Sequence, residues 1–202
     1  MPERKEISRD EYVLAVLQDD LKNRHRDILK AEERLILKPN LQSQEENEKR
    51  LELLGKVNGA FATNGNILKC FKKFYRIIIT KDEFLKLRWC PKGSNKINDT
   101  IDNITGGSRR FLDIYEFLRS TKKSEDIDKK IKEKIKEMSK YGELLNKESD
   151  IIKRVYAIKF TSECDVLDGN HRSGGMLYNM SKEEDYVPFE LFIAEDFQHE
   201  IK

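Results

Sequence analysis

The sequence predicts an α+β fold, in which a mostly helical N-terminal part packs on, or is inserted into, a small mixed sheet completed by the C-terminal residues. Three observations support this prediction: repeated helix-start motifs in the first half, apolar residues at helical spacing behind them, and alternating β-branched residues after Ile151. With 202 residues, the chain can bury a core of ordinary size. We therefore divide it into a helical region, residues 1–150, and a strand–turn–helix–strand region, residues 151–202, which could form a single domain.

The N-terminal part contains helix-start motifs with the S/T-x-x-E spacing, in which a hydroxyl and a carboxylate bind free amide groups of the first turn. They are Ser8/Glu11, Ser43/Glu46 and Thr80/Glu83. Behind the first motif, apolar residues at seven-residue intervals predict one helix that continues to Pro39. Behind the second, a helix is predicted from about Gln44 to Ala62. Together they predict an antiparallel helical hairpin, through which two copies of the chain could form a homo-oligomer.

Further helices are expected in the middle of the chain. A break at residues 64–66 is followed by a predicted aromatic helix that ends near Ile79. Another begins after the glycine loop at residues 106–108, and a lysine-rich helix begins at a Ser124 cap. The residues expected on their apolar sides are Leu68, Phe71, Phe74 and Tyr75 in the first, Phe111, Tyr115 and Phe117 in the second, and Ile127, Ile131, Ile135 and Met138 in the third.

The C-terminal region has the pattern of β-strands. Strands rich in β-branched and aromatic residues are predicted over 154–160, 165–167 and 187–193. A short helix is predicted between the last two, from about Ser173 to Met180. Strand, turn, helix and strand in this order predict a crossover unit, whose ligand-facing end is the turn before the helix.

Composition and charge narrow the class of protein. No apolar run reaches the length of a membrane span and the charged first residues do not resemble a signal peptide, so we expect no membrane partner. Three widely spaced cysteines predict free thiols in a reducing compartment, which indicates a cytoplasmic protein. Basic residues interleaved with aromatic residues from Lys69 to Lys96 could bind DNA by charge and stacking. The alternative is that the lysines only solvate the surface and the aromatic residues lie in the core.

The strongest candidate for a functional site is the turn Asp168-Gly169-Asn170-His171-Arg172-Ser173-Gly174-Gly175. Gly169 permits a tight turn, and the amides of residues 170–174 would direct the positive end of a helix dipole at an anion. Arg172 adds a planar fork that suits phosphate oxygens, and His171 can donate or accept a proton. Asp168 can accept from a hydroxyl, orient His171 or bind a metal. Each of these residues could also serve the turn alone, as a cap, a tight bend or an ion-pair partner.

A second candidate anion site is the segment Ser108-Arg109-Arg110, which follows two glycines. Backbone amides beside two guanidiniums can cradle a phosphate. The alternative is that this segment is only a loop before a helix. Because there are three histidines and no closely spaced cysteine pair, we expect no zinc site.

The candidate turn lies in the order Val166-Leu167-Asp168-Gly169-Asn170-His171-Arg172, short helix, and a strand opened by Val187-Pro188. This order, within about residues 152–194, resembles the core of the ParB/sulfiredoxin superfamily, and the resemblance implies that the turn and helix start bind nucleotide phosphates. Sulfiredoxin-like reductases have a catalytic cysteine where this chain has Asn170, so reductase activity is not expected. Chromosome-partition members usually carry an acidic-arginine version of this turn and a helix-turn-helix domain after it, and neither occurs in this sequence.

The Asp-Gly-x-His-Arg form is closer to the superfamily's free-amino-acid kinases and to relatives linked with DNA modification or cleavage. The resemblance therefore implies nucleotide binding with phosphoryl transfer or nucleotide hydrolysis, with ATP or another nucleotide and Mg²⁺ as cofactors. In this hypothesis Arg172 and the adjacent amides hold phosphate, His171 stabilises or protonates the transferred group, and Asp168 is the base or a metal ligand. Kinase-like members use a further acidic residue, which the sequence does not locate. The alternatives are a DNA-binding nuclease or DNA-modification partner, and a non-catalytic interaction module.

Overall fold

The computed structural model describes residues 4–23, 26–58, 61, 67–90, 95–121, 128–147, 153–160 and 162–198. Its strands are β1 (Arg4–Ile7), β2 (Phe71–Ile79), β3 (Arg88–Trp89), β4 (Arg154–Lys159), β5 (Cys164–Asp168) and β6 (Phe189–Phe197). Its helices are α1 (Arg9–Asn23), α2 (Arg26–Leu29), α3 (Glu33–Leu37), α4 (Gln44–Val57), α5 (Lys81–Leu85), α6 (Asn95–Thr105), α7 (Phe111–Ser120), α8 (Lys129–Lys147) and α9 (Asn170–Ser181), with short 3₁₀ segments at Lys30–Glu32 and Ile67–Cys70. Since these helices accompany a mixed sheet, the predicted α+β class is confirmed.

The six strands form one sheet in the order β1-β2-β6-β4-β5-β3. Parallel pairing joins β6 to β4 and β5 to β3, and the other neighbours are antiparallel. Strands β1, β2 and β3 come from the first 150 residues, and the other three come from the C-terminal region. Both parts of the chain therefore build the same sheet.

The sheet has a hydrophobic core on each face. On one face, α1 and α4 cover Tyr156 of β4 and Phe192 of β6. The ring of Tyr12 meets these two rings edge-on, with centroids 5.8 and 6.2 Å away. On the opposite face, α7, α8 and α9 cover Val155 and Ala157, which alternate with Tyr156 along β4. The start of α9 follows the end of β5, so helices on both faces of the sheet lie close enough to contact it.

Two of the three helix-start motifs form the predicted reciprocal pair, whereas in the third only the hydroxyl caps the helix and the Glu46 carboxylate accepts from the Asn40 N–H instead. The Ser8 backbone N–H donates to Glu11 Oε2 over 2.7 Å, and the Glu11 N–H donates back to Ser8 Oγ over 3.1 Å. Thr80 and Glu83 form the same reciprocal pair at the start of α5. Ser43 Oγ accepts from the Glu46 N–H at the start of α4. These motifs need only four neighbouring residues, which is why the local sequence predicts them.

The predicted extent of the first two helices is wrong. Helix α1 ends at Asn23, and the chain continues through α2 and a 3₁₀ segment to α3, which ends at Leu37. Ile28, which a continuous apolar stripe would bury, is 57% exposed. Helix α4 ends at Val57, before the predicted residue 62. Helices α1 and α4 nevertheless pack against each other, as the predicted hairpin requires.

The predicted aromatic helix that ends near Ile79 is also wrong, because residues 71–79 form strand β2. The spacing of Phe71 and Phe74 fits either structure, but β2 lies between β1 and β6 and pairs with both. Phe74 lies opposite Ala194 of β6 within the core. Pairing on both sides, together with the β-branched residues at the end of the segment, favours the strand.

The predicted crossover unit is wrong in its topology. Helix α9 does connect β5 to β6, but β4 lies between these strands. Because β4 is antiparallel to β5 and parallel to β6, strands β5 and β6 run in opposite directions. The helix also begins at Asn170 rather than near Ser173. Of the residues predicted as a turn, Asp168 ends β5, Gly169 is the N-cap, and residues 170–175 belong to α9.

The later predicted helices are present as α7 and α8. The predicted break at residues 64–66, the Ser124 cap and Ile127 lie outside the described residues. None of the described helices is long and apolar enough to span a membrane.

Candidate functional site

The junction between β5 and α9 depends on a glycine in the left-handed region. Gly169 has φ 95° and is the N-cap of α9, which has no side-chain cap. A Cβ atom at this position would lie 2.9 Å from the Arg154 carbonyl oxygen and 2.9 Å from Val155 Cγ1. Only glycine therefore satisfies both the backbone angle and the close approach of β4. The sequence prediction of a tight bend at Gly169 is confirmed.

Asp168, the last residue of β5, is buried and bound from two directions. Its Oδ1 accepts from the Gly169 N–H over 2.8 Å, and its Oδ2 lies 3.4 Å from Asn58 Nδ2. The same Asn58 nitrogen lies 3.2 Å from Oδ2 of Asp20 in α1. Asp168 thus connects the end of β5 to α1 and to the residue that follows α4. It does not contact His171 in the way that an orienting acid would.

Arg172 joins a second buried group, which we call the Asp19 cluster: Asp19, Arg154, Tyr156, Arg172 and Glu190. Asp19 Oδ2 accepts from the Tyr156 hydroxyl over 2.7 Å and lies 3.7 Å from Arg172 Nη1. Asp19 Oδ1 accepts from Arg154 Nη1 over 3.0 Å. Arg154 Nε also donates to Glu190 Oε2 over 2.5 Å. The guanidinium of Arg172 is therefore held towards α1, at the base of the first turn of α9.

The electrostatics of the Asp19 cluster follow from its burial. Removal of water raises the pKa of Asp19, while the Tyr156 hydroxyl and the two guanidiniums oppose that rise. Burial also raises the pKa of Tyr156 well above its ordinary value, and the neighbouring Asp19 carboxyl adds to the rise. Tyr156 therefore remains a neutral donor to Asp19, which keeps the carboxylate in position between Arg154 and Arg172.

His171 faces a different helix. Its Nδ1 lies 2.5 Å from Oε1 of Glu137 in α8, and its ring lies against Tyr141 with centroids 5.0 Å apart. Oε2 of Glu137 accepts from Lys134 Nζ over 2.9 Å. The contact with His171, and then that with Lys134, lowers the pKa of Glu137 to about 2. The acid that contacts His171 is therefore Glu137, not Asp168.

The remaining residues of the motif pack inside the protein. Asn170 Nδ2 donates to the Val166 carbonyl over 3.0 Å. Asn170 Oδ1 and Ser173 Oγ are buried without a hydrogen-bond partner among the described residues. A Cβ atom on Gly174 would lie 3.1 Å from Met138 Cγ and 3.4 Å from the Trp89 ring. Packing against α8 is thus sufficient to explain the glycine at position 174. The Ser173 N–H donates to the Gly169 carbonyl over 2.9 Å, so the predicted phosphate-binding amide of Ser173 is engaged within the helix.

The segment Ser108-Arg109-Arg110 lies beside the beginning of β5, whereas Asp168 ends that strand. Arg109 forms a two-bond pair with Asp102, of 2.5 and 2.6 Å, and this contact lowers the pKa of Asp102. Arg110 donates to Glu163 over 3.3 Å, and the Ser108 hydroxyl donates to Asp113. These contacts agree with the loop interpretation, and a second anion site at this segment stays a prediction.

The basic region from Lys69 to Lys96 does not display its aromatic residues. Phe71, Phe74 and Trp89 are in the core, as the alternative interpretation expects. Tyr75 is covered by the guanidinium of Arg4, whose central carbon lies 3.5 Å from the ring centroid. DNA bases could stack on these described side chains only if the core opened. DNA binding through this region stays a prediction, and only the basic charge of the region supports it.

The pair of His171 and Glu137 makes stability depend on pH in one direction. Because the pKa of Glu137 in the fold, about 2, is below its ordinary 4.5, the pair stabilises fully above that ordinary value and loses its contribution as pH falls towards about 2. We therefore expect Glu137→Gln to lower the free energy of unfolding more at about pH 5.5 than at about pH 2.5. Urea unfolding of both proteins at the two pH values measures this difference. A difference that is constant, or larger in acid, contradicts the assignment.

The carboxylates near Asp168 determine whether a metal ion could bind there. Asp168 and Asp20 both approach the Asn58 amide, and carboxylate oxygens are the ligands that Mg²⁺ takes beside nucleotide phosphates. Among the residues that the structure describes, no group of three or more His, Cys, Asp or Glu side chains is arranged to hold a metal ion. A role for Asp168 as a single protein ligand to a nucleotide-bound ion is chemically compatible with this arrangement.

Comparison with models of protein families, with curated proteins and with solved structures gave no match. The resemblance to the ParB/sulfiredoxin superfamily therefore stays a prediction.

Sequence reasoning missed Asp19 and Glu137. One signal for Asp19 is its spacing, because it lies three and seven residues after Val16 and Tyr12, on the buried face of α1. An acid on an apolar helix face needs a partner, and it is therefore a site candidate. Glu137 has no such signal, since lysine and glutamate surround it throughout α8.

Proposed function

We propose that the protein binds a nucleotide by its phosphates at the first turn of α9 and transfers or hydrolyses the terminal phosphoryl group. The observation that carries this proposal is the geometry of the helix start, where Gly169 brings β4 into contact and Arg172 is held by the Asp19 cluster. A helix start with no side-chain cap offers backbone N–H groups and a positive dipole to an anion.

Arg172 supports the proposal through its position. Arg172 lies in the first turn of α9, and side chains there lean towards the helix N-terminus, where the free amides are. A guanidinium carries five N–H donors in a fixed plane, and an ion pair on one side can orient it for a phosphate on the other. Asp19 supplies that orienting contact.

ATP with Mg²⁺ is the simplest ligand for such a site, although another nucleotide fits the same chemistry. Asp168 would be the protein ligand to the Mg²⁺ ion, which neutralises charge on the phosphates when it is bound. Arg172 and the amides of Asn170 to Arg172 would hold the phosphate oxygens, since the next amide, that of Ser173, donates to the Gly169 carbonyl. His171 would exchange a proton with the reacting group.

Calorimetric titration with ATP, ADP and CTP tests the proposal. We expect Arg172→Ala to weaken nucleotide binding by about tenfold or more, because a charge-assisted hydrogen bond contributes about 1.5–3 kcal/mol. Arg172→Lys keeps the charge but loses the planar fork, and should bind with intermediate affinity. Arg34→Ala is the matched control, since Arg34 of α3 is exposed and pairs with Glu46 of α4 rather than with a residue of the candidate site.

The proposal is wrong if the natural chain binds none of the three nucleotides, or if folded Arg172→Ala binds as well as the natural chain. Urea unfolding of each variant shows whether it is folded. If a gel shift instead shows salt-sensitive DNA binding without nucleotide binding, the DNA-associated alternative replaces the proposal. If neither ligand binds and light scattering shows a defined oligomer, the interaction module replaces it.

A further inference from the structure

We propose that Glu137 is a positioning residue, which holds His171 in the tautomer with the proton on Nδ1 and leaves Nε2 as the proton-accepting atom beside the first turn of α9. This inference rests on the proposed function for its chemical use. The tautomer itself can be measured without any nucleotide.

The short contact between the His171 imidazole and the Glu137 carboxylate favours one tautomer. Nδ1 of His171 and Oε1 of Glu137 are 2.5 Å apart, although the two groups are not aligned for a linear hydrogen bond. Because the Glu137 carboxylate is negatively charged, it attracts a proton on Nδ1 at this separation, whereas it would repel a lone pair there. A neutral imidazole carries one ring proton, so a proton on Nδ1 leaves Nε2 without one. Nε2 is therefore the nitrogen with a lone pair for a substrate.

Neighbouring side chains hold the Glu137 carboxylate and the His171 imidazole in place. The second oxygen of Glu137 accepts from Lys134, whose side chain is only 7% exposed and lies 4.9 Å from the centre of the Trp89 ring. Rotation of the carboxylate away from His171 would break this second contact as well. On the other side, Tyr141 lies against the imidazole ring at an angle of 30°. Residues of α8 therefore hold both the Glu137 carboxylate and the His171 ring in their orientations.

The arrangement assigns the base for phosphoryl transfer. In the proposed function Asp168 is the ligand of the Mg²⁺ ion, and its Oδ1 also accepts from the Gly169 N–H, so the base is a different residue. His171 Nε2 would take the proton of an attacking hydroxyl, from water or an alcohol, as its oxygen bonds to the terminal phosphorus. The bond from that phosphorus to the bridging oxygen breaks, and the nucleoside diphosphate leaves with the electron pair. The Glu137 carboxylate compensates the positive charge of the imidazolium that forms.

The tautomer can be measured by ¹⁵N NMR of the histidine rings at about pH 8, where an ordinary histidine with a pKa of about 6.5 is neutral. The chain has three histidines, so the spectra of single His→Gln variants assign each ring. We expect His171 to carry its proton on Nδ1 in the natural chain, and Glu137→Gln, which keeps an acceptor oxygen but not the charge, to favour that tautomer less strongly. In Glu137→Ala the ring should shift mostly to the Nε2–H tautomer that imidazole prefers in water. Glu133→Ala, an exposed acid on the same helix, is the matched control and should change nothing.

The proposal is overturned if His171 carries its proton on Nε2 in the natural chain, or if Glu137→Ala leaves the tautomer unchanged. A second titration, with ATP and Mg²⁺, relates the tautomer to function. We expect bound ATP to move the Nε2 resonance of His171 more than its Nδ1 resonance. If ATP binds and neither resonance moves, the assignment of His171 as the base is contradicted. If calorimetry shows no ATP binding at all, the proposed function fails, while the tautomer result still decides the role of Glu137.

Discussion

Gly175→Ala is expected to destabilise the fold by about 3 kcal/mol or more, because the new methyl group would overlap the backbone of the neighbouring helix. A Cβ atom at this position would lie 2.7 Å from the backbone nitrogen of Gly142 and 2.7 Å from the carbonyl carbon of Tyr141. Neither atom belongs to a flexible side chain, so α8 and α9 would have to separate. Such a separation would also move Glu137 away from His171.

Gly55→Ala is the matched control for this substitution. Gly55 lies in α4, and a Cβ atom there would have no neighbour within 4 Å. Because alanine is favoured over glycine in a helix by about 0.8–1.0 kcal/mol, Gly55→Ala should be neutral or stabilising. Urea unfolding of both variants measures the contrast. Similar unfolding free energies for the two variants would show that α8 and α9 do not cross at Gly175.

Asp19→Ala should cost about 3–5 kcal/mol, since it removes the acid that two guanidiniums and a phenol share in a buried cluster. Asp19 is only 3% exposed, and Arg154, Tyr156 and Arg172 would all lose their contact with it. We also expect weaker nucleotide binding in any folded fraction, because Arg172 would no longer be held at the start of α9.

Asp10→Ala is the control for the effect of losing an acid from α1. Asp10 lies in the first turn of the same helix and pairs with Arg9 over 3.6 Å at the surface. An acid near a helix start contributes about 0.3–1 kcal/mol, so this variant should be much closer to the natural chain. Urea unfolding and calorimetry with ATP give the two readouts. Equal losses in both variants would mean that the Asp19 cluster does not hold Arg172.

The sequence predicts those features that depend on neighbours in the chain. The pairs at Ser8/Glu11 and Thr80/Glu83 form because each needs only one helical turn. The bend at Gly169 is predicted for a similar reason, since a glycine after a strand permits a tight turn.

The features that the sequence does not predict depend on residues far apart in the chain. Strand β2 has a spacing that also suits a helix, and its pairing with β6, more than 100 residues later, decides the structure. The contacts of the candidate site also depend on residues far apart in the chain. His171 and Arg172 are adjacent, but they contact Glu137 in α8 and Asp19 in α1, which only the folded sheet brings to the two sides of α9.

The most direct test of the central claim is the backbone ¹H–¹⁵N spectrum of the labelled protein during titration with ATP and Mg²⁺. If the start of α9 holds the phosphates, the amide resonances of Asn170, His171 and Arg172 should move most, and those of Ser108 to Arg110 at the other end of β5 should stay near their original positions. Nucleotide binding that leaves the three α9 amides unchanged, or that moves the Ser108 segment most, would contradict the account.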